Sequence, residues 1–252
     1  MGQEKVNTIS VMVTRSGKSG AKLAESIQQK GLACWHLPSL EIRAEEILLP
    51  VVDFQQAIFI SPNAVKYSVE KSQLLTAMLP DELIAVGQGT ADCLYQAGFK
   101  KVIIPAEFNS EGLLNLVQLQ SVKGQQILIV KGRGGRDLIA DELTKRGACC
   151  HFLEVYSRVT AQIEERSLQA FLAAGEVNIV TIASTDALTA LLSNFAGDFN
   201  YRDLTLVVAS QRIKEAASKY GFKQIVVAES AANSATLATI MGLIANRVQE
   251  II

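Results

Sequence analysis

The chain has 252 residues, 49% of them hydrophobic, with 24 Lys plus Arg against 25 Asp plus Glu and a formal net charge of −1. That length holds one large or two ordinary α/β domains, each with its own core. The near-neutral balance excludes a basic nucleic-acid binder and a polybasic membrane surface, and apolar runs such as Val102-Ile103-Ile104 are strand-sized, far short of a membrane span.

In chain order, Ile9–Thr14 reads as a buried strand and Gly20–Lys30 as an amphipathic helix whose Leu23, Ala24 and Ile27 share one face, with Gly31 closing it. The strand Ala57–Ile60 runs into Ser61-Pro62-Asn63, where Ser61 is a natural N-cap and Pro62 suits the first helical position. Leu83–Val86 leads through Gly87-Gln88-Gly89-Thr90 into a helix ending at Gly98. Val102–Ile104 leads through Asn109-Ser110-Glu111 into a helix over Gly112–Leu119. Further strands are expected at Gln126–Val130, Ala148–Leu153, Ile179–Ile182, Leu204–Val208 and Gln224–Val227. Such alternation predicts an α/β fold of mainly parallel sheets flanked by helices.

The chain also repeats itself. Gly98-Phe99-Lys100 recurs as Gly221-Phe222-Lys223, and the same shift of 123 brings Ser61 onto Ser184, Leu83 onto Leu206 and Gln88 onto Gln211. A shift of 116 brings Gly31 onto Gly147, Cys34 onto Cys150 and Leu37 onto Leu153. One copy runs from about Ser10 to Val122 and the other from about Gln125 onward. A repeat this long predicts two similar domains facing a cleft, where chemistry is expected.

Open α/β sheets bind ligands beyond the carboxyl ends of their strands. Here those ends carry Thr14-Arg15, Ser61-Pro62-Asn63, Gly87 to Thr90, Lys131-Gly132-Arg133, Ser184-Thr185-Asp186 and Ser210-Gln211-Arg212. Glycines, hydroxyls and cations with few acids suit an anionic ligand. The basic turn with Lys131, Arg133 and Arg136, and its counterpart with Arg15 and Lys18, reads either as a carboxylate site or as a solvated loop capped by Asp137.

Other motifs fail. Gly17-Lys18-Ser19 lacks the first glycine of a phosphate-binding loop, because Met12 stands there, and Asp137 stands where a dinucleotide fingerprint from Gly132 needs glycine. Cys34, Cys93, Cys149 and Cys150 have no CxxC spacing, and only His36 and His151 exist to complete a metal site. The cysteines are therefore expected to be reduced structural residues, with Cys34 and Cys150 buried, in a cytoplasmic, metal-free protein. No secretory leader is expected. Tyr156, placed just past the strand Ala148–Leu153, reads either as a packed boundary residue or as a proton donor to a leaving hydroxyl.

Taken in order, Ile58-Phe59-Ile60-Ser61-Pro62-Asn63-Ala64-Val65, Ala85-Val86-Gly87-Gln88-Gly89-Thr90-Ala91, Asn109-Ser110-Glu111-Gly112-Leu113-Leu114, Ile127–Arg136 and Val155-Tyr156-Ser157-Arg158 resemble the uroporphyrinogen-III synthase family over nearly the whole chain. The resemblance implies two similar α/β lobes joined by a two-stranded β-ladder. Domain 1 would be about 1–37 plus 160–252, the ladder 38–43 with 154–159, and domain 2 about 44–153. It implies a lyase of heme biosynthesis that cyclises hydroxymethylbilane to uroporphyrinogen III, losing water and inverting ring D. No cofactor is implied. A cytoplasmic monomer is expected, with no nucleic-acid or membrane partner and at most a transient contact with the deaminase that makes its substrate.

Residue by residue, the resemblance makes Tyr156 the helper of hydroxyl loss. Ser61, Thr90 and the backbone at Gly87 would hold acetate or propionate groups, faced by Ser184, Ser210 and Gln211. The family's second lobe usually carries Gly-x-Thr-Thr, whereas this chain has Ser210-Gln211-Arg212-Ile213. Ile213 replaces a hydroxyl there, and Arg212 offers a substitute contact. The remaining candidates for binding are Arg15, Pro62, Asn63, Lys131 and Arg133. The alternative reading is a non-enzymatic two-lobed binding protein for an anionic small molecule.

Overall fold

A computed structural model describes residues 9–49, 52–69, 72–135, 137–195 and 200–249. The chain forms two units, Met1–Glu41 with Val159–Ile252 and Ile42–Arg158. It begins in the first with β1 (Ile9–Val13), α1 (Gly17–Gln28) and β2 (Ala33–His36), then leaves within β3 (Leu40–Ala44). The second unit holds β4 (Gln56–Phe59), α2 (Pro62–Lys66), α3 (Gln73–Met78), β5 (Glu82–Ala85), α4 (Gln88–Gln96), β6 (Lys101–Ile103), α5 (Ser110–Leu114), β7 (Gln126–Gly132) and α6 (Leu138–Lys145). β8 (Cys149–Thr160) carries the chain back. The first unit is completed by α7 (Glu165–Ala173), β9 (Val177–Ile182), α8 (Thr185–Leu192), β10 (Thr205–Val208), α9 (Gln211–Ser218), β11 (Gln224–Val227) and α10 (Asn233–Gln249).

The sheet orders are β11-β10-β9-β1-β2 and β3-β8-β7-β4-β5-β6. All neighbours but one pair parallel. The edge strand β3 runs against β8, since Glu45 N–H donates to Val155 C=O (3.0 Å) while the earlier Ser39 C=O accepts from the later Ala161 N–H (2.9 Å). Numbered by their place in the repeat, β1, β2, β9, β10 and β11 lie in the order 2-1-3-4-5. So do β7, β8, β4, β5 and β6. The structural units are therefore not the sequence copies. Each copy gives its first two strands to one unit and its last three to the other.

Both sheets are covered on both faces, as parallel sheets require. Successive residues alternate between two cores: Met12 packs with Phe171, Val180 and Leu206, whereas Val11 and Val13 pack with Leu23, Ile27 and Val207. In the second unit Phe59, Leu128 and Val130 share one core, and Ile58, Ile127 and Ile129 the other.

Three elements differ from the sequence expectation. α1 begins at Gly17, three residues early, with Ser16 as N-cap. The helix expected over Gly112–Leu119 stops at Leu114, and a separate 3-10 turn covers Val117–Leu119. Its free carbonyls are claimed by distant side chains: Arg146 Nη1 donates to Leu114 (2.8 Å) and Leu119 (3.0 Å), and Gln120 Nε2 to Leu114 (2.8 Å). β8 is continuous for 12 residues, so the ladder segment 154–159 is the same strand as 149–153 and Tyr156 lies inside it. The cysteines also differ. Cys34, Cys93 and Cys150 are only half-buried and Cys149 is exposed.

Candidate active site

In a sheet of order 2-1-3-4-5 the crevice opens between strands 1 and 3, at their carboxyl ends. Those pairs are β7 with β4 and β1 with β9. The second unit thus brings Ser61, which follows β4, beside Gly132, which ends β7. Ser61 is extended (φ −163°), and its Oγ accepts the Ala64 N–H at 3.0 Å, with Pro62 opening α2. The same Oγ lies 3.1 Å from Tyr156 Oη.

A β-bulge aims the tyrosine. Lys131 pairs with Glu154 but Gly132 pairs with Tyr156, so β8 holds one extra residue there. Without the bulge Val155 and Tyr156 would face opposite sides of the sheet. With it both are buried in one core, Tyr156 at 1% exposure. Gly132 makes room, because a Cβ there would lie 2.5 Å from Tyr156 Cζ. The ring packs on Tyr67 (centroids 6.0 Å apart), and Arg158 Nη2 donates to Tyr156 Oη at 3.3 Å with its guanidinium 5.6 Å from the ring centre.

The cations divide sharply. Lys131 is 4% exposed, paired with Asp137 and placed 4.6 Å over the Phe152 ring, so it is not a free anion-binding charge. Asp137 spends its carboxylate there and makes no side-chain cap on α6. Arg133 is exposed and meets Glu45 (2.8 Å) and Glu154 (3.7 Å). Arg136 lies outside the described residues. Arg15 has only neutral acceptors among the described residues: Asn233 Oδ1 (2.9 Å), the Ala231 carbonyl (2.8 Å) and Ser19 Oγ (3.4 Å). Partial burial pulls its guanidinium below the usual arginine range. Its own carbonyl accepts from His36 Nε2 (2.8 Å), above Gly20, where a Cβ would lie 1.7 Å from that oxygen. Arg15, Thr181, Ala183 and Thr236 line a small recess of about 210 Å³, including space open to solvent.

Equivalent helix starts behave alike. Ser184 caps α8 through Ala187 N–H (3.1 Å), as Ser61 caps α2. Gly87 and Ser210, the N-caps of α4 and α9, make no side-chain cap, so first-turn N–H groups stay available to a ligand. Thr90 is 2% exposed and its counterpart Ile213 also 2%, the latter inside the core with Leu206 and Phe222. Ile213 is a core residue, so position 213 offers no side chain to the surface of that loop. Gln211, Arg212 and Pro62 are exposed, and Asn63 is intermediate.

A family profile described as uroporphyrinogen-III synthase HemD matches residues 21–238. The chain belongs to the uroporphyrinogen-III synthase family. It is 31% identical over 243 residues to the uroporphyrinogen-III synthase of Escherichia coli (strain K12), covering 91% of this chain and 98% of that protein. It is 28% identical over 226 residues to the Synechococcus elongatus uroporphyrinogen-III synthase, 83% of this chain and 85% of that one. The crystal structure of uroporphyrinogen-III synthetase from Helicobacter pylori 26695 has the same fold, with a TM-score of 0.66 at 15% identity over 94% of this chain and 99% of that one. No helix among the described residues is long and apolar enough to cross a membrane.

Sequence reasoning named Gly132 at a strand end and Arg158 beside Tyr156 without a role for either, and did not single out Asn233 or Thr236. Arg158 had a signal, since residues two apart on a strand share a face. The bulge that sets Gly132 against Tyr156 had none.

Proposed function

We propose that this chain is a uroporphyrinogen-III synthase, closing hydroxymethylbilane into uroporphyrinogen III with loss of water and inversion of ring D. The observation that carries the reading is the family match across residues 21–238, on a fold whose strand carboxyl ends bear hydroxyls, helix starts without side-chain caps, and cations.

The substrate is a flexible chain of four pyrroles with eight carboxylates. Its hydroxyl leaves from a carbon activated by the adjacent pyrrole, so the chemistry needs only modest acid help. The demanding task is to hold the two ends so that closure occurs with ring D inverted. Fixing that geometry converts a loose encounter into an oriented one. At one unit Asn63 and the first-turn N–H groups after Gly87 would hold carboxylates, with Pro62 and buried Thr90 shaping the loops and Ser61 facing the departing hydroxyl. Arg15, Ser184, Ser210, Gln211 and Arg212 would do so at the other. Arg133 can exchange Glu45 for a substrate carboxylate, whereas Lys131 shapes the turn through Asp137. Tyr156 would be the source of the proton that the departing hydroxyl takes up. The protein would act as a cytoplasmic monomer that takes its substrate from the deaminase, in passing contact at most.

The test is the product isomer. Protein added to hydroxymethylbilane freshly formed by the deaminase should give type III uroporphyrinogen. Unchanged type I product, the outcome of closure in free solution, removes the reading.

A further inference from the structure

We propose that Ser61 is the group that hands the proton to the departing hydroxyl, with buried Tyr156 behind it and Arg158 behind Tyr156. The proposal deepens the synthase reading and rests on it. Tyr156 is 1% exposed, enclosed by Gly132, Tyr67 and Arg158, so its phenol does not reach a substrate directly. Ser61 does reach outward: it is only partly buried and stands past the carboxyl end of β4, at the switch point.

The direction of the hydrogen-bond chain follows from the donors present. Arginine has only donors, so Arg158 Nη2 gives to Tyr156 Oη (3.3 Å). The 3.1 Å contact between Tyr156 Oη and Ser61 Oγ is open to either donor; the relay takes the phenol as donor, because Ser61 Oγ is the acceptor that the described residues offer the buried phenol proton. Ser61 Oγ also accepts the Ala64 N–H (3.0 Å). A hydroxyl accepts two bonds and donates one, so the Ser61 proton is left to point away from both partners, toward a ligand. Ser184 caps α8 in the same manner, but the position matching Tyr156 at the shift of 116 is Leu40. Among the described residues the relay therefore occurs in one unit.

In the step, the substrate C–O bond breaks with its electron pair on oxygen, while the pyrrole nitrogen lone pair fills the carbon. The oxygen takes the Ser61 proton and departs as water. Ser61 takes the Tyr156 proton, and the charge left on the phenol oxygen faces the Arg158 guanidinium. Inversion of ring D breaks its original bond to the neighbouring bridge carbon and forms a new one at the ring carbon that carried hydrogen; that carbon then releases its proton, which returns through Ser61 to Tyr156.

Single-turnover and steady-state rates of Ser61→Asn, Ser61→Thr, Tyr156→Phe and the Ser61→Asn/Tyr156→Phe double variant test this. Asn caps a helix as well as Ser does but passes no proton. Expected are a severalfold lower kcat for Ser61→Asn, matching Tyr156→Phe, KM within twofold, a double variant no slower than the worse single, and recovery in Ser61→Thr. A raised KM with unchanged kcat makes Ser61 a carboxylate contact only and overturns the relay. So do singles whose effects multiply, or a Ser61→Thr enzyme as slow as Ser61→Asn. Wild-type protein that yields no type III product refutes the synthase reading instead, which keeps the two failures distinct.

Discussion

Gly132→Ala is the most informative single change. A Cβ there would sit 2.5 Å from Tyr156 Cζ, 2.6 Å from Cε2 and 2.9 Å from Oη. Ordinary carbon contacts begin near 3.5 Å, so the ring must retreat by about 1 Å. It has little room, being 1% exposed, and overpacking of this kind costs about 1–3 kcal/mol. In thermal melting that is a loss of roughly 2–12 °C if the whole chain unfolds together, and more if one unit unfolds alone. Moving the ring by about 1 Å also stretches the 3.1 Å contact with Ser61 beyond hydrogen-bond range. The rate loss through this route cannot exceed that of removing the hydroxyl, so kcat should fall severalfold, as in Tyr156→Phe. The control is a second-site cycle. In a Tyr156→Ala background the clash disappears and Gly132→Ala should cost nothing further in melting temperature or rate. In a Tyr156→Phe background the clash and the melting penalty remain. Equal penalties in wild-type and Tyr156→Ala backgrounds would refute the steric argument.

Arg15→Gln should raise KM about tenfold with kcat within twofold, because one charge-assisted contact is worth about 1.4 kcal/mol or more; initial rates against substrate decide it, and an unchanged KM removes Arg15 from the binding set. Ile213→Thr, which restores the hydroxyl usual in the family, should destabilise by about 1–3 kcal/mol and bring no gain in kcat or KM, since position 213 faces the core. Burial pushes the Cys34 thiol up to about 12 from 9.0. The folded value is the higher one, so this group's contribution to stability is complete below pH 9 and is lost as the pH rises through about 12. Denaturant midpoints across that range should flatten in Cys34→Ala, and alkylation at pH 8 followed by mass spectrometry should label exposed Cys149 well before Cys34. Cutting the chain between Val122 and Gln125 should leave two fragments that do not fold singly but regain helical circular dichroism when mixed.

Much of the fold was legible because its signals are local. Hydrophobic runs marked the strands, Ser61 announced a helix start that its side chain does cap, and Gly31, Gly98, Gly147 and Gly221 all adopt positive φ just past a helix. What escaped depends on distant partners. The early end of α5 is set by Arg146, 32 positions further along the chain. Lys131 looks like a free cation until Asp137 and Phe152 are seen around it. A bulge leaves no mark in the alternation of β8, so Tyr156 read as a residue after the strand. The candidate list therefore held the residues at strand ends, and missed the glycine and the arginine that decide how Tyr156 is held.

The exchange of strands between copies explains why the chemistry-bearing residues collect where they do. In each sheet the pairs at the switch point, β1 with β9 and β7 with β4, are the joins between one copy and the other. Each crevice is consequently built from both copies. Arg15 of the first meets Thr181 and Thr236 of the second, and Ser61 of the first meets Gly132 and Tyr156 of the second. Neither crevice exists before strands of both copies have paired across it. Once the exchange is made the two crevices are free to diverge, because their residues come from different copies at every position. One has an arginine with neutral partners and a recess. The other has a buried lysine pair and the Ser61–Tyr156–Arg158 chain.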